Sequence, residues 1–272
     1  MTKDTKLTDT QALERHRARA VAEDLFLQES AADEVQDRLT LVNRAFTAPA
    51  VVTPFLDLWR RHMPSARIVP DDETLDLDVG AHDLVIHAMS LHWANDPVGQ
   101  LIQCRRSLKP DGLMIAATLG GQTLQELRSS LSEAEIALTG GLSPRVAPMG
   151  EIRDLGALLQ RAGFALPVAD SVTLRAQYRD ALHLMHDLRK MGETNALDQR
   201  RRVTPPCRLF ERTAEIYAKN YATGPDQVMA TFELVFLTGW AESDTQPKPL
   251  RRGSAKQRLA DALHVPEIPL HD

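Results

Sequence analysis

Asp83-Leu-Val-Ile-His-Ala-Met-Ser-Leu-His-Trp-Ala-Asn-Asp-Pro97 is followed by an amphipathic run to Leu108 and then by Lys109-Pro-Asp-Gly-Leu-Met-Ile-Ala-Ala-Thr118. An apolar run closed by polar residues, a helical period, a Pro-Asp-Gly turn and a second apolar run predict a strand–helix–strand unit. Both apolar runs are nearly continuous rather than alternating, as expected of strands buried on both faces of a parallel sheet. A right-handed crossover of that length places the two strands side by side.

Around that unit, the 272 residues fit one large domain or a domain with a small appendage. A hydrophobic content of 43% supplies a full core, and a formal net charge of -5 argues against a nucleic-acid binder that relies on bulk attraction to phosphate. Cys104 and Cys207 are the only cysteines, so a reducing compartment is expected rather than a disulfide framework. No apolar run reaches the roughly 18 residues of a membrane span, and the polar start Met1 to Thr10 does not read as a secretory signal. The cytoplasm is the expected location.

Along the chain, residues 1–38 read as an N-terminal helical segment, with one or two helices between Gln11 and Arg38 lying over the sheet edge. Leu39–Val42 is a short strand candidate and Pro49–His62 a helix, with a further short strand at Arg67–Val69. Beyond the central unit, helices are expected at Gln122–Leu138 and Glu151–Ala162, the latter stopped by Gly163, with a strand at Val168–Ala176. Two more helices, near Asp180–Lys190 and Arg208–Tyr221, form a helical insertion (about 179–225) before the long strand candidate Gln227–Trp240. Residues 241–272 form a polar tail in which only Ala255–Leu263 suits a helix. Alternating strands and helices predict an α/β, Rossmann-like, doubly wound and mostly parallel sheet over 39–240.

Asp71-Asp-Glu-Thr-Leu75, Asp83-Leu-Val85, Leu91-His-Trp93 and Leu108-Lys-Pro-Asp-Gly112 resemble, in order and spacing, the second half of a class I S-adenosylmethionine-dependent methyltransferase. Rarer strings narrow the resemblance: Ser90 to Pro97, Gly120 to Arg128, Gly140 to Arg145, Asp154 to Phe164 and Met191 to Asn195. They look like those of the mitochondrial complex I assembly factor five family and its bacterial relatives, which are similar in turn to malonyl-carrier-protein methyltransferases. The likeness spans roughly Asp71 to Trp240. It implies the class I methyltransferase fold with an inserted helical cap, S-adenosylmethionine as cofactor, and Asp71, Asp72, Met89 and Ser90 at the cofactor, with Asp71 receiving the adenine amine.

The front half departs from that pattern. The family binds the donor on a glycine-rich turn after the first strand, where glycines let the backbone approach the ligand. This chain has no glycine before Gly80. The turn after the expected strand Leu39–Val42 reads Asn43-Arg-Ala-Phe-Thr-Ala-Pro49, in which Arg44 and Phe46 add bulk. The interval to Asp83 is short by about one strand–helix repeat, so the front of the sheet is expected to be trimmed.

Candidate cleft residues follow from the carboxyl-end rule for open α/β sheets. His92 and Trp93 end the central strand, where they can orient a substrate or simply cap the core. Gly120, Gly121 and Gln122 follow the next strand and either border the same cleft or serve only the turn. Ser143 and Arg145 sit in a Gly/Pro loop that is either a lid or an ordinary surface loop. Tyr178 and Glu193 line the cleft or serve packing and capping. Asp96 before Pro97 reads as a helix start. His183 and His186 are three apart on a helix with no carboxylate or thiolate partner at fitting spacing beyond Asp187, so a helix face is expected rather than a metal site. The arginine run Arg200 to Arg202 reads as a solvated turn that can meet an acidic partner.

Three functions stay open. One is an assembly or chaperone-like factor of methyltransferase descent acting on a protein client, with a respiratory complex I subunit implied by the resemblance. The second is an active S-adenosylmethionine-dependent methyltransferase, and the third a protein-binding module alone. The family's association with arginine hydroxylation adds oxygenase chemistry, for which no 2-His-1-carboxylate signature is visible. The glycine-free front favours the first.

Overall fold

The computed structural model describes residues 6–247, 261, 264 and 265. Leu27, Ala31, Val35 and Leu39 recur every fourth residue and turn one stripe inward, so Phe26–Leu41 is a single helix, α2, preceded by α1 (Thr10–Arg17). The apolar run at Leu39–Val42 is therefore the last turn of α2 and not a strand. The first strand instead opens the segment expected as a helix: Pro49–Val52 is β1, followed by the short helix α3 (Leu56–His62). Its Ala-Val-Val core is fully buried, and proline is tolerated as a strand's first residue because its missing N–H interrupts no ladder.

β2 is Arg67–Val69, and the central unit is β3 (His82–Ala88), α4 (Pro97–Ser107) and β4 (Leu108–Leu119). Asp96 accepts a hydrogen bond from Gly99 N at 2.8 Å and Pro97 takes the first helical position, which fixes the start of α4. Then come α5 (Gln125–Thr139), α6 (Ile152–Arg161), β5 (Ala165–Tyr178), α7 (Ala181–Lys190), α8 (Cys207–Tyr221), β6 (Ala222–Gly224) and β7 (Gln227–Trp240).

The strands run β2-β1-β3-β4-β7-β5, with β6 on β7. The first four are parallel, and β7 enters antiparallel between β4 and β5. Alternate residues feed two cores: Leu84, Ile86 and Phe236 meet α2, α3, α5 and the α7–α8 pair, while Val85, Met114 and Leu237 meet α4 and α6. That is the doubly wound, Rossmann-like methyltransferase sheet, with α7 and α8 inserted before its last long strand. The front is trimmed to two strands of three and four residues, with β2 at the edge among the described residues.

Asp83 ties front to centre. Its carboxylate accepts from Thr47 N, Thr47 Oγ1 and Ala48 N at 2.6–2.9 Å, anchoring the entry to β1 at the amino end of the sheet. Arg44, in the same segment, pairs with Asp111 at 3.1 Å beside the Pro-Asp-Gly turn. Arg44 and Phe46 thus precede β1 and stand at the amino ends of the strands. The bulk they add lies away from the carboxyl ends, because the turn that leaves the first strand is Thr53-Pro54-Phe55.

Residues Ser243–Asp272 form a second unit, in whose described part Gln246 N bonds Ser243 O at 3.3 Å and His264 N bonds Asp261 O at 3.4 Å. The tail helix expected over Ala255–Leu263 falls, apart from Asp261, outside the described residues.

Candidate functional site

The carboxyl ends of β2 and β3 open into a polar cleft of about 980 Å³. At the end of β3 the chain turns sharply. Met89 takes φ 50°, a left-handed conformation uncommon for a side chain of its size, and its N–H donates to Ala117 O at 2.8 Å. The turn sinks Ser90 into the floor of the cleft, 1% exposed and with no hydrogen-bond partner for Oγ. It then winds through one 3₁₀ turn, Leu91–Trp93.

Helix α1 closes the cleft from above. Asp9 N donates to Ala196 O and Asp9 pairs with Arg200, tying the segment to the cap side. Thr8 N and O bond the side chain of Asn95 on the sheet side. Arg17, at the end of α1, places Nη1 on both oxygens of Asp71, at 2.9 and 3.2 Å. Its Nε and Nη2 are buried without partners. Asp72 lines the same cleft and accepts from Gln100 Nε2 through its backbone oxygen at 2.7 Å. The other end of that amide, Gln100 Oε1, accepts from His87 Nε2 at 3.2 Å, leaving His87 Nδ1 buried and unpartnered. Burial pushes the His87 imidazole below its ordinary range, against the opposing pull of Asp71. The cleft therefore collects Arg17, His87 and Ser90, three side chains whose buried polar atoms have unused hydrogen-bonding capacity.

Glu193, just beyond α7, joins cap to sheet. Its Oε2 accepts from Trp93 Nε1 at 2.8 Å and faces His92 Nε2 at 3.3 Å, while His92 Nδ1 lies 3.4 Å from the Thr118 hydroxyl. Burial alone raises a carboxyl group, yet the charges of His92 and Arg17 and these hydrogen bonds hold Glu193 below the usual range, so it stays an anion. Trp93 forms a wall between the polar cleft and a second, apolar cavity of about 310 Å³ that also reaches Glu193 and Arg145.

His92, Trp93, Glu193, Asp71, Asp72 and Ser90 are thus gathered at one end of the sheet. Gly120, Gly121 and Gln122 follow β4 at the same end of the sheet but line neither space, and the turn packs on Glu233: Gly120 N donates to Glu233 O and Gln122 N to Glu233 Oε2. A Cβ on Gly120 would come within 2.6 Å of Glu233 and Val235, so tight packing of the turn accounts for that glycine. Ser143 and Arg145 both bind Glu135 of α5, Arg145 at 2.6 Å, which pins their loop to the helix. Those bonds outweigh burial and hold the Glu135 carboxyl at about 2. Tyr178 donates to Asp187 at 2.8 Å and packs edge-on against His183, away from both spaces. Arg17 and Gln100 carried no motif and come to the cleft through the fold alone.

Comparison with known proteins gives a consistent family. The methyltransferase domain family matches residues 34–116. The chain is 34% identical to the mitochondrial arginine-hydroxylase NDUFAF5 of Danio rerio over 253 residues, covering 93% of this chain and 72% of that protein. It spans 61, 59, 44 and 56% of the counterparts in mouse, rat, Dictyostelium discoideum and human. A malonyl-[acyl-carrier protein] O-methyltransferase of Methylovorus is 30% identical over 74% of this chain and 64% of its own length. Among solved structures, the YcgJ protein of Bacillus subtilis aligns with a TM-score of 0.49 at 10% identity, covering 79% of this chain and 99% of that one. The cytoplasmic expectation does not stand. The NDUFAF5 relatives are mitochondrial proteins, and a polar start with no helix among the described residues long and apolar enough to cross a membrane does not distinguish the two locations. With nearly three quarters of the zebrafish protein matched at this identity, the chain belongs to the NDUFAF5 arginine-hydroxylase family of methyltransferase-fold proteins.

Proposed function

We propose that this chain is a methyltransferase-fold assembly factor that acts on a protein client, with a subunit of respiratory complex I as that client, and that its cleft no longer serves a methyl donor. The observation that carries this reading is the Arg17 guanidinium seated on both oxygens of Asp71, the carboxylate that would receive the donor's adenine amine. The turn leaving β1 supports it. Thr53-Pro54-Phe55 contains no glycine, Pro54 offers no N–H, and Phe55 N is already spent on Thr53 Oγ1 at 3.1 Å. A backbone cradle for the methionine part of S-adenosylmethionine does not fit these residues, so no methyl-transfer step is derived. The cleft instead presents Glu14, Asp72, Glu73 and Asp96 alongside Lys6 and Arg17, a lining suited to a basic protein segment. The relatives' name, arginine-hydroxylase, fits a client that brings an arginine to an acidic cleft.

Isothermal calorimetry with S-adenosylmethionine and S-adenosylhomocysteine tests the donor half. No saturable heat at millimolar ligand is expected. A donor present at 100 times its dissociation constant would add about 2.7 kcal/mol to stability, so micromolar binding with a matching thermal shift would restore the methyltransferase reading. Affinity capture from respiring cells tests the client half. Enrichment of complex I subunits is expected, and their absence would overturn it.

A further inference from the structure

The apolar cavity behind Trp93 plays no part in the proposed function, and its chemistry is independent of that reading. Its walls come from three layers: Leu119 and Phe232 of the sheet, Leu127 and Leu131 of α5, and Met185 and Phe210 of the cap helices. A space of about 310 Å³ with such walls offers water few partners, because a held water molecule needs two to four polar groups. Its size and apolar lining with a few convergent polar groups are those of a small-molecule site. Met185 and Met149, unbranched and adaptable, suit a wall that moulds to a flexible chain.

The polar end is specific. Arg145 reaches the cavity with Nε buried and without a hydrogen-bond partner, while its Nη2 is committed to Glu135 at 2.6 Å. Glu135 stays ionised, so the charge of Arg145 is already matched, and the buried donor it leaves unpartnered is Nε–H. Glu193, an anion on the same wall, disfavours a second carboxylate. The head group this end accepts is a neutral oxygen acceptor.

We infer that this cavity binds an aliphatic chain ending in a neutral carbonyl, as in an ester, thioester or amide, with the chain against Leu127, Leu131 and Phe232 and the carbonyl on Arg145 Nε. At about 30 Å³ per heavy atom, taken from water, the cavity holds roughly ten, which corresponds to an eight-carbon acyl group with its head.

The test is calorimetry of the full chain with octanamide, and with octanoate as the charged counterpart. Saturable binding of octanamide is expected, with octanoate at least about tenfold weaker. Leu131→Trp fills the space and should abolish binding; its thermal unfolding shows whether it folds, and Met185→Trp fills the space from the cap side if it does not. Arg145→Lys keeps the charge opposite Glu135 but removes Nε–H, and should weaken octanamide about tenfold at most, the worth of one hydrogen bond. No saturable heat with octanamide, undiminished binding by a folded filled variant, or octanoate binding as tightly as octanamide would each overturn the assignment. Because none of these readouts involves S-adenosylmethionine or a protein client, failure here leaves the proposed function standing, and the reverse also holds.

Discussion

Two turns leave parallel neighbours at the same end of the sheet and are built on opposite plans. The turn after β1 is Thr53-Pro54-Phe55, short and glycine-free, with Phe55 N on Thr53 Oγ1 and Thr53 N on Val69 O of β2. The turn after β3 holds Met89 at positive φ, buries Ser90 without a partner and carries His92 and Trp93 to Glu193. Strain and unspent hydrogen-bonding groups persist only where surrounding structure holds them, and they gather where a protein uses them. The strained and unpartnered groups of this cleft therefore lie on the β3 side, next to the cap, and the turn after β1 carries none.

The greatest cost is expected at the junction of sheet and cap. Glu193→Ala leaves the Trp93 N–H and His92 facing a buried space without their acceptor. It should cost about 3 kcal/mol, within the range for breaking a buried pair, read as a shifted urea midpoint with an unchanged slope. Glu193→Gln keeps an acceptor for Trp93 and should cost roughly half as much. If Glu193→Ala were as stable as the parent, the β3 side would be no more built than the β1 side, and the contrast between the two turns would collapse.

Asp83 marks where the two sides are joined at the opposite end of the sheet. Asp83→Ala frees two backbone donors, at Thr47 and Ala48, and should cost about 2 kcal/mol. Burial works to raise the Asp83 carboxyl, but the bonds from Thr47 and Ala48 prevail and its folded value lies below 3.8. Its contribution is therefore fully present above about 3.8 and is lost as pH falls through the folded value. A mutant whose deficit persisted unchanged to the most acid pH would show that packing, not the carboxylate, joins front to centre.

The β3 side was legible in sequence and the β1 side was not, for a physical reason. Continuous apolar runs at Leu84–Ala88 and Leu113–Ala117 are long enough to tell a buried strand from a helix, and the Asp96–Pro97 start fixes the crossover. At the front, the four residues of the strand and the end of α2, where Leu39 and Leu41 flank Thr40, are too short for their period to be read. Leu39 belonged to the helix only through the four-residue spacing back to Leu27. The misplaced strand moved the donor turn to Asn43–Pro49, and with it Arg44 and Phe46. Within the site, His92, Trp93 and Glu193 were legible as motif residues, whereas Arg17 is one arginine among several on a polar helix. Nothing in its local sequence says that α1 will fold across the cleft to Asp71. Gly120 and Gly121 stayed open between cleft and turn because a close approach to the backbone reads the same whether the visitor is a ligand or a side chain, here Glu233 at Gly120 and Glu151 at Gly121.

The slightest effect is one that pH alone reveals. His87 lies between the two sides, with Gln100 on Nε2, and Asp71, Arg17 and His92 as the charged or titratable groups nearest in influence. Its folded pKa is lowered from 6.5 by burial, so above that value the ring is neutral folded and unfolded and pH has no leverage through it. As pH falls below 6.5 the unfolded chain takes up a proton that the folded chain refuses, and stability declines until pH reaches the folded value. The buried Glu193 and Asp83 carboxylates, with folded values lowered from 4.5 and 3.8, take no part between about pH 6.5 and 5. His16, within α1 and lowered by partial burial, contributes a decline of its own, so the informative quantity is the difference between the parent and His87→Gln. That difference should change by about 1 kcal/mol between about pH 7 and 5, toward the variant, since one withheld proton is worth at most about 1.36 kcal/mol per pH unit. A polar ligand that accepts from Arg17 and donates to His87 Nδ1 would hold the ring neutral and steepen the decline. A parent and variant that stay parallel through this window would place His87 in contact with water, and the floor of the cleft would then be an open surface rather than a built site.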